Sequence, residues 1–182
     1  MSSSGGPRAA GSGLATEGKF RQRVEDHYKL MASSKKRLGL ASKLQLVSAV
    51  GATGVVGMLG AAGGGDGDAT TWMVLAGLLA LFSGLVSRSA SATAAPALSA
   101  QQVEKCAASF ARWCSIVLAL LGIAMVLTAA SGGGSVGLPP QPARTVGGLV
   151  LAIDSVGCAL GMRATAALRA AFEMQKAKAK AK

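Results

Sequence analysis

The uncharged stretch WCSIVLALLGIAMVLTAAS, residues 113–131, decides the fold class of this chain. Its length is close to the roughly 20 residues that an α-helix needs to cross the hydrocarbon core of a bilayer. Three further apolar stretches of similar length occupy residues 44–63, 69–87 and 146–162. Only 15% of the 182 residues are charged, whereas a soluble domain carries about 25%. The sequence therefore predicts an all-α protein in which four transmembrane helices form a bundle in the lipid bilayer.

The basic residues lie mainly outside the apolar stretches and predict the orientation of the bundle. The net charge is +11, and of the 19 Lys and Arg residues nine fall within residues 8–43 and six within residues 163–182. The two hairpin loops, which hold Asp66, Asp68 and Arg144, contain one basic residue between them. The positive-inside rule then places both termini and the middle loop in the cytosol. Basic tails around an apolar middle, with 4% aromatic residues, argue against a nucleic-acid partner.

The composition predicts four segments along the chain. They are a disordered tail at 1–16, a cytosolic amphipathic helix at 17–42, the membrane domain at 43–163 and a disordered basic tail at 164–182. Ser99 has the position of an N-cap for a helix that runs directly into the third span.

The predicted helix at 17–42 has an apolar side formed by Phe20, Val24, His27 and Met31, which recur every three or four residues. Such a basic helix next to a membrane span can lie in the interface and bind anionic lipid headgroups. It can equally pack as a solvated cytosolic part of the bundle. The sequence does not decide between these two interpretations.

The one ionisable residue well inside a span is Asp154. A charge at the centre of the membrane costs about 2.5 to 3.5 kcal/mol on insertion scales, so the residue is a functional candidate. We favour a hydrogen-bonded aspartate that fixes helix packing over a proton relay. Its candidate partners are the hydroxyl groups of other spans, namely Thr53, Thr71, Ser83, Ser115 and Thr128.

Glycines follow Asp154 on the same face of the fourth span. Gly157 and Gly161 are four residues apart, a spacing that lets helices approach closely in lipid. Glycines also recur every third residue from Gly51 to Gly60 in the first span. These patterns predict a compact bundle.

Signatures of catalysis or of a bound cofactor are missing from the sequence. His27 is the only histidine, which rules out a His-based metal site or a Ser-His-Asp arrangement inside the membrane. The glycine runs lack the lysine and the strand-to-helix context of a phosphate loop. The three cysteines have no zinc-site spacing, and Cys106 lies next to the membrane, where palmitoylation is an option. We expect a protein that is not an enzyme and binds no cofactor or metal.

The chain ends in Lys178-Ala-Lys180-Ala-Lys182, with lysines at the third and fifth positions from the end. On a cytosolic tail, Lys178 and Lys180 match the KxKxx retrieval pattern that the retrograde vesicle coat reads as an address. Retention sequences of this kind are read by receptors and do not act as membrane anchors. The competing interpretation is a solvated, low-complexity basic tail.

The N-terminal segment resembles the Jagunal family of endoplasmic reticulum (ER) membrane proteins. The resemblance lies in Gly6-Pro7-Arg8-Ala9-Ala10-Gly11, in Phe20-Arg21-Gln22-Arg23-Val24, in His27-Tyr28 and in the basic residues from Lys35 to Arg37. It covers about the first forty residues, together with the chain length, the four spans and the lysine-rich tail. The aromatic residues that are common in the family's spans are nearly absent here.

The resemblance implies a multi-pass ER membrane protein that supports vesicle-mediated transport and ER organisation in the early secretory pathway. It implies the retrograde coat as a partner and no catalysis. The residues implied as an interaction surface are Arg21, Arg23, Val24, His27 and Tyr28. Two other functions remain open from the residues themselves. One is a small proton-coupled transporter or channel that uses Asp154, and the other is an accessory subunit of a mitochondrial or plastid complex whose acid-poor N-terminus is a transit peptide.

Overall fold

Four long helices make up the structure, which is a computed structural model and describes residues 11–62, 67–95, 99–131 and 137–180. The helices are α1 at Gly11–Ala61, α2 at Gly67–Ala94, α3 at Ala100–Ser131 and α4 at Gln141–Lys180. Each is long and apolar enough to cross a membrane. The prediction of an all-α, four-span membrane protein is confirmed.

Helix α1 lies between two neighbours and organises the bundle. It packs extensively against both α2 and α4, while α3 packs mainly against α2. Helices α3 and α4 contact each other much less than the other neighbouring pairs do. The bundle is therefore less tightly closed along the α3/α4 side than elsewhere.

Local polar contacts fix the ends of the helices near the middle loop. Ser99 caps α3 as predicted, because its hydroxyl accepts a bond from the Gln102 backbone N–H at 3.3 Å. In return, the side chain of Gln102 accepts a bond from the Ser99 backbone N–H at 3.0 Å. This reciprocal pair is a capping box. At the end of α2, the Lys35 ammonium group donates to the Ala95 carbonyl at 3.2 Å, which satisfies an acceptor that the helix leaves free.

A band that is uncharged apart from Asp154, here called the uncharged band, runs through all four helices. At the end of the bundle that carries the chain termini, here called the terminal end, the band begins on each helix at an exposed basic residue: Lys43, Arg88, Arg112 and Arg163. From these residues the helices run 18 to 20 residues to Ala61, Asp68, Ser131 and Arg144 at the opposite end, here called the hairpin end. At 1.5 Å per residue that distance is about 27 to 30 Å, which is close to the thickness of a bilayer's hydrocarbon core.

The helices extend further beyond this band than the sequence predicted. The expected cytosolic helix at 17–42 and the first span form one continuous helix, and residues 11–16 are helical, where a disordered tail was predicted. Residues 164–180, also predicted to be disordered, continue α4. The ends of the chain, 1–10 and 181–182, lie outside the described residues.

Packing explains these longer helices. The buried core continues past the basic residues at the terminal end, where Leu38, Ala90, Ala107, Leu168 and Ala171 are at most 1% exposed. Apolar side chains on all four helices thus bury one another outside the band, and that burial stabilises helical structure that propensity alone leaves marginal. The predicted helix at 17–42 accordingly joins the bundle from Met31 onward, whereas the described side chains of residues 21–30 are exposed.

Candidate functional site

The candidate site is a buried polar centre inside the uncharged band. Asp154 lies ten residues from Arg144 and nine from Arg163 on α4, whereas the other members of the centre, on α1, α2 and α3, lie two to five residues from Lys43, Arg88 and Arg112. The side chain is completely buried. A buried carboxyl group at this depth needs hydrogen-bond donors, because no water is present there to solvate it.

Ser83 on α2 and Ser48 on α1 hydrogen-bond to the carboxyl group. The Ser83 hydroxyl lies 3.0 Å from Oδ1 and 3.1 Å from Oδ2 of Asp154, so one O–H is shared by both carboxyl oxygens. Of the other hydroxyl groups that the sequence offered as partners, Thr53, Ser115 and Thr128 bond to carbonyl groups of their own helices. Thr71 lies twelve residues from Ser83 along α2, about 18 Å away.

Helix α1 contributes Gln45, which the sequence did not single out. Its Nε2 donates to the backbone carbonyl of Asp154 at 3.1 Å and to the sulfur of Cys158 at 3.5 Å. The first of these bonds fixes the orientation of the amide, because a flipped Oε1 would face another acceptor. The Oε1 atom is buried and has no hydrogen-bond partner among the described residues. Ser48, one turn further along α1, is also buried and donates to the carbonyl of Val150 at 3.5 Å.

Two cysteines complete the centre. Cys114 on α3 and Cys158 on α4 are fully buried, unoxidised and in hydrogen-bond contact with each other. Cys106 is also a free thiol and is partly exposed. All four helices therefore meet at one level through short polar or polarisable side chains.

The predicted packing glycines of α4 receive side chains from other helices, Gly157 at this centre and Gly161 one turn further toward the terminal end. A Cβ atom on Gly157 would be 2.7 Å from Nε2 of Gln45. A Cβ atom on Gly161 would overlap the ring of Phe110, which comes from α3. In α1, a Cβ atom on Gly51 would be 2.8 Å from a methyl group of Val150. At each of these three glycines, the missing side chain leaves room for a side chain of a neighbouring helix.

A second polar cluster joins α1 to α2 nearer the terminal end. The Ser42 hydroxyl lies 2.6 Å from that of Ser91 and 3.1 Å from that of Ser87, and Ser87 donates to the Ser42 carbonyl at 2.9 Å. Hydrogen bonds between small residues are a common way to hold membrane helices together. Chemically, both clusters are suited to holding the helices in register.

The structure keeps the other predicted site residues away from Asp154. Tyr28 lies 17 residues before Gln45 on α1, about 26 Å along the helix axis. Arg21, Val24 and Tyr28 are exposed on α1. The side chains of Arg23, His27, Lys178 and Lys180 lie outside the described residues, although their backbones belong to α1 and α4. Among the described residues, no group of three or more His, Cys, Asp or Glu side chains is placed to hold a metal ion.

Comparisons with protein-family models, with curated proteins and with solved structures found no match to this chain. The family resemblance of the N-terminal segment therefore stays a prediction.

Proposed function

We propose that this chain is a non-enzymatic ER membrane protein that supports vesicle-mediated transport and ER organisation in the early secretory pathway. In this proposal, the two helical extensions at the terminal end project into the cytosol and are bound there by other molecules. The lysine tail of α4 is read by the retrograde vesicle coat, and the segment with Arg21, Arg23, Val24, His27 and Tyr28 contacts a further protein or anionic headgroups.

The observation that supports the proposal is the reach of α1 and α4 beyond the uncharged band. Residues 11–42 of α1 and 164–180 of α4 correspond to about 48 Å and about 26 Å of helix. Since the chain has four spans, both extensions lie on the same side of the membrane. All four helices have exposed basic residues at this end, which favours its placement on the cytosolic side.

Exchange of two lysines tests the role of the tail. In cells that express the tagged full chain, Lys178→Ser with Lys180→Ser should let the protein leave the ER. The matched control is Lys176→Ser with Lys182→Ser, which removes the same charge and keeps the KxKxx pattern. If both double variants stay in the ER, or both leave it, the retrieval signal is refuted. Imaging of the wild-type protein in mitochondria or plastids would instead favour the accessory-subunit hypothesis.

The buried polar centre favours proton-coupled transport as a second candidate function. Asp154 is buried inside the uncharged band beside Gln45, whose buried Oε1 has no hydrogen-bond partner among the described residues. In proteoliposomes, a pH-dependent flux that Asp154→Asn abolishes would support this candidate. We rank it second because the groups bonded to Asp154 are two hydroxyls and an amide, which do not form a chain to either edge of the band. Absence of flux in the wild-type protein would exclude it.

A further inference from the structure

A cavity lies between the helices on the hairpin side of the polar centre. Its volume is about 170 Å³, and all four helices line it. Its inner end is formed by Ala52 and Val150, which lie one helical turn from Ser48 and Asp154 respectively. The cavity thus occupies the half of the uncharged band between Asp154 and the hairpin end.

The cavity is suited to an apolar occupant. Its wall along the band is almost entirely aliphatic, apart from Trp72 and the exposed Thr128. The Thr128 hydroxyl already donates to the Met125 carbonyl at 2.8 Å, and the Trp72 N–H to the Gly137 carbonyl at 3.0 Å. An internal water needs two to four polar partners, whereas an apolar cavity of about 150 Å³ stays dry and takes up a benzene-sized molecule. Hydrocarbon therefore fits this space better than water or a proton path.

The cavity opens sideways between α3 and α4. Thr128 on α3 and Gly148 on α4 both line it and are both exposed, so it reaches the surface between these helices. A Cβ atom on Gly147 or Gly148 would meet nothing within 4 Å. At the terminal edge of the band, by contrast, the ring of Phe110 packs directly against Gly161 and fills the space between α3 and α4. The opening faces the lipid tails of the leaflet at the hairpin end.

A positively charged side chain, that of Arg144, lies at the outer edge of this opening. Arg144 lines the cavity at the edge of the band and is exposed. Its guanidinium group donates to the Pro139 carbonyl at 3.4 Å, and it has five N–H groups in total. A guanidinium group with donors to spare binds phosphate well.

We propose that the cavity binds a segment of one acyl chain of an anionic phospholipid from the leaflet at the hairpin end, with the lipid phosphate held by Arg144. The segment enters between α3 and α4 and fills the cavity on the hairpin side of Asp154, while the rest of the chain stays in the bilayer. The headgroup stays at the membrane surface, where Arg144 lies. This lipid site does not depend on the function proposed for the cytosolic extensions, because it lies at the opposite end of the bundle.

Trp72 provides a probe inside the site, since its indole lines the cavity and is only 9% exposed. The full chain carrying Trp113→Phe has this single tryptophan. It is reconstituted in phosphatidylcholine vesicles that contain a small fixed fraction of phosphatidylglycerol with brominated acyl chains. Bromine quenches tryptophan fluorescence on contact. We expect stronger quenching than in vesicles where the same fraction of phosphatidylcholine carries the bromine.

Two substitutions separate the cavity from the charge. Gly148→Leu fills the opening and should reduce quenching to the level of brominated phosphatidylcholine. The matched control is Gly122→Leu, at an exposed glycine of α3 outside the cavity, which should leave quenching unchanged. Arg144→Gln should lower the apparent affinity for the anionic lipid about fivefold, as expected for one basic residue at a membrane surface.

The reciprocal variant Trp72→Phe leaves Trp113 as the only reporter, next to Arg112 at the terminal edge of the band. Arg112 and the other basic residues of this edge attract anionic lipid independently of the cavity, so the quenching of Trp113 should be unchanged by Gly148→Leu and by Arg144→Gln. Equal quenching of Trp72 by both brominated lipids, or quenching that Gly148→Leu leaves unchanged, would overturn the proposal. Quenching by a free brominated fatty acid as strong as that by the phospholipid would overturn the assignment of a phospholipid.

Discussion

Replacement of Gly161 by alanine tests how tightly α3 and α4 are packed at the terminal edge of the uncharged band. Phe110 is the largest of the completely buried side chains, and its ring occupies the space that a Cβ atom at Gly161 needs. The ring belongs to the buried core and is completely shielded from solvent. One added methyl group must therefore push the two helices apart or force the ring from its rotamer.

The expected magnitude follows from two opposing effects. Overpacking a well-filled core costs typically about 1 to 3 kcal/mol. Glycine to alanine in a helix interior otherwise gains about 0.5 to 1 kcal/mol. Gly122→Ala is the matched control on α3, since its Cβ atom would meet nothing within 4 Å. We therefore expect Gly161→Ala to be about 0 to 2.5 kcal/mol less stable than wild type and about 1 to 3 kcal/mol less stable than Gly122→Ala, which should itself be no less stable than wild type.

The free energy of unfolding is measured by denaturant titration of the purified protein in detergent micelles. In a Phe110→Leu background the added methyl group has room, so there Gly161→Ala should lose most of its cost. That difference is a coupling energy between residues 110 and 161, which a double-mutant cycle isolates. If Gly161→Ala and Gly122→Ala have the same stability, or if Phe110→Leu leaves the cost of Gly161→Ala unchanged, the packing described for this pair is wrong.

Two further predictions concern polar contacts. Ser83→Ala removes the hydroxyl that both carboxyl oxygens of the buried Asp154 share, while Ser48 stays bonded, and should lower the free energy of unfolding by about 0.5 to 1.5 kcal/mol in the same titration. Ser115→Ala, at an exposed serine that bonds only to its own helix, should change it by less than about 0.5 kcal/mol, and equal effects of the two would contradict the network. Ser99→Ala removes the N-cap of α3 and should cost about 1 kcal/mol. Ser99→Asp keeps a capping oxygen and should restore the loss; a Ser99→Ala variant as stable as wild type would show that the cap is dispensable.

The number of helices was predictable from the sequence, but their lengths were not. Hydropathy reports the uncharged band reliably, because lipid requires every spanning segment to be apolar and internally hydrogen-bonded. Outside the band, helix continuation depends on tertiary contacts. The burial of Leu38, Ala107 and Leu168 against partners on other helices keeps α1 and α4 helical there, and no local pattern records those partners.

The candidate site was predictable only in part. Asp154 stands out as the one charge deep in a span, and Ser83 was among its candidate partners. Gln45 was missed because it lies two residues from Lys43, near a span edge where polar residues are ordinary. The recurrence of glycines from Gly51 to Gly60 does not mark one contact face, because a step of three residues turns the helix by about 300°, so successive glycines drift around it. Of these four positions, only Gly51 is so close to a neighbouring helix that an added Cβ atom would be nearer than ordinary van der Waals contact.

The length of the uncharged band determines which bilayer thickness matches this bundle best. A span of about 27 to 30 Å matches a bilayer as thin as that of the ER, about 27 Å, better than a plasma membrane of about 32 to 33 Å. In the thicker bilayer the charged residues Arg144 and Arg163, which end α4's span at both borders, would be drawn toward hydrocarbon unless the lipids thinned locally. Hydrophobic mismatch costs a fraction of a kcal/mol per Å, summed over four helices that cannot lengthen. The membrane itself can thus sort this protein by thickness, alongside any address carried by its lysines.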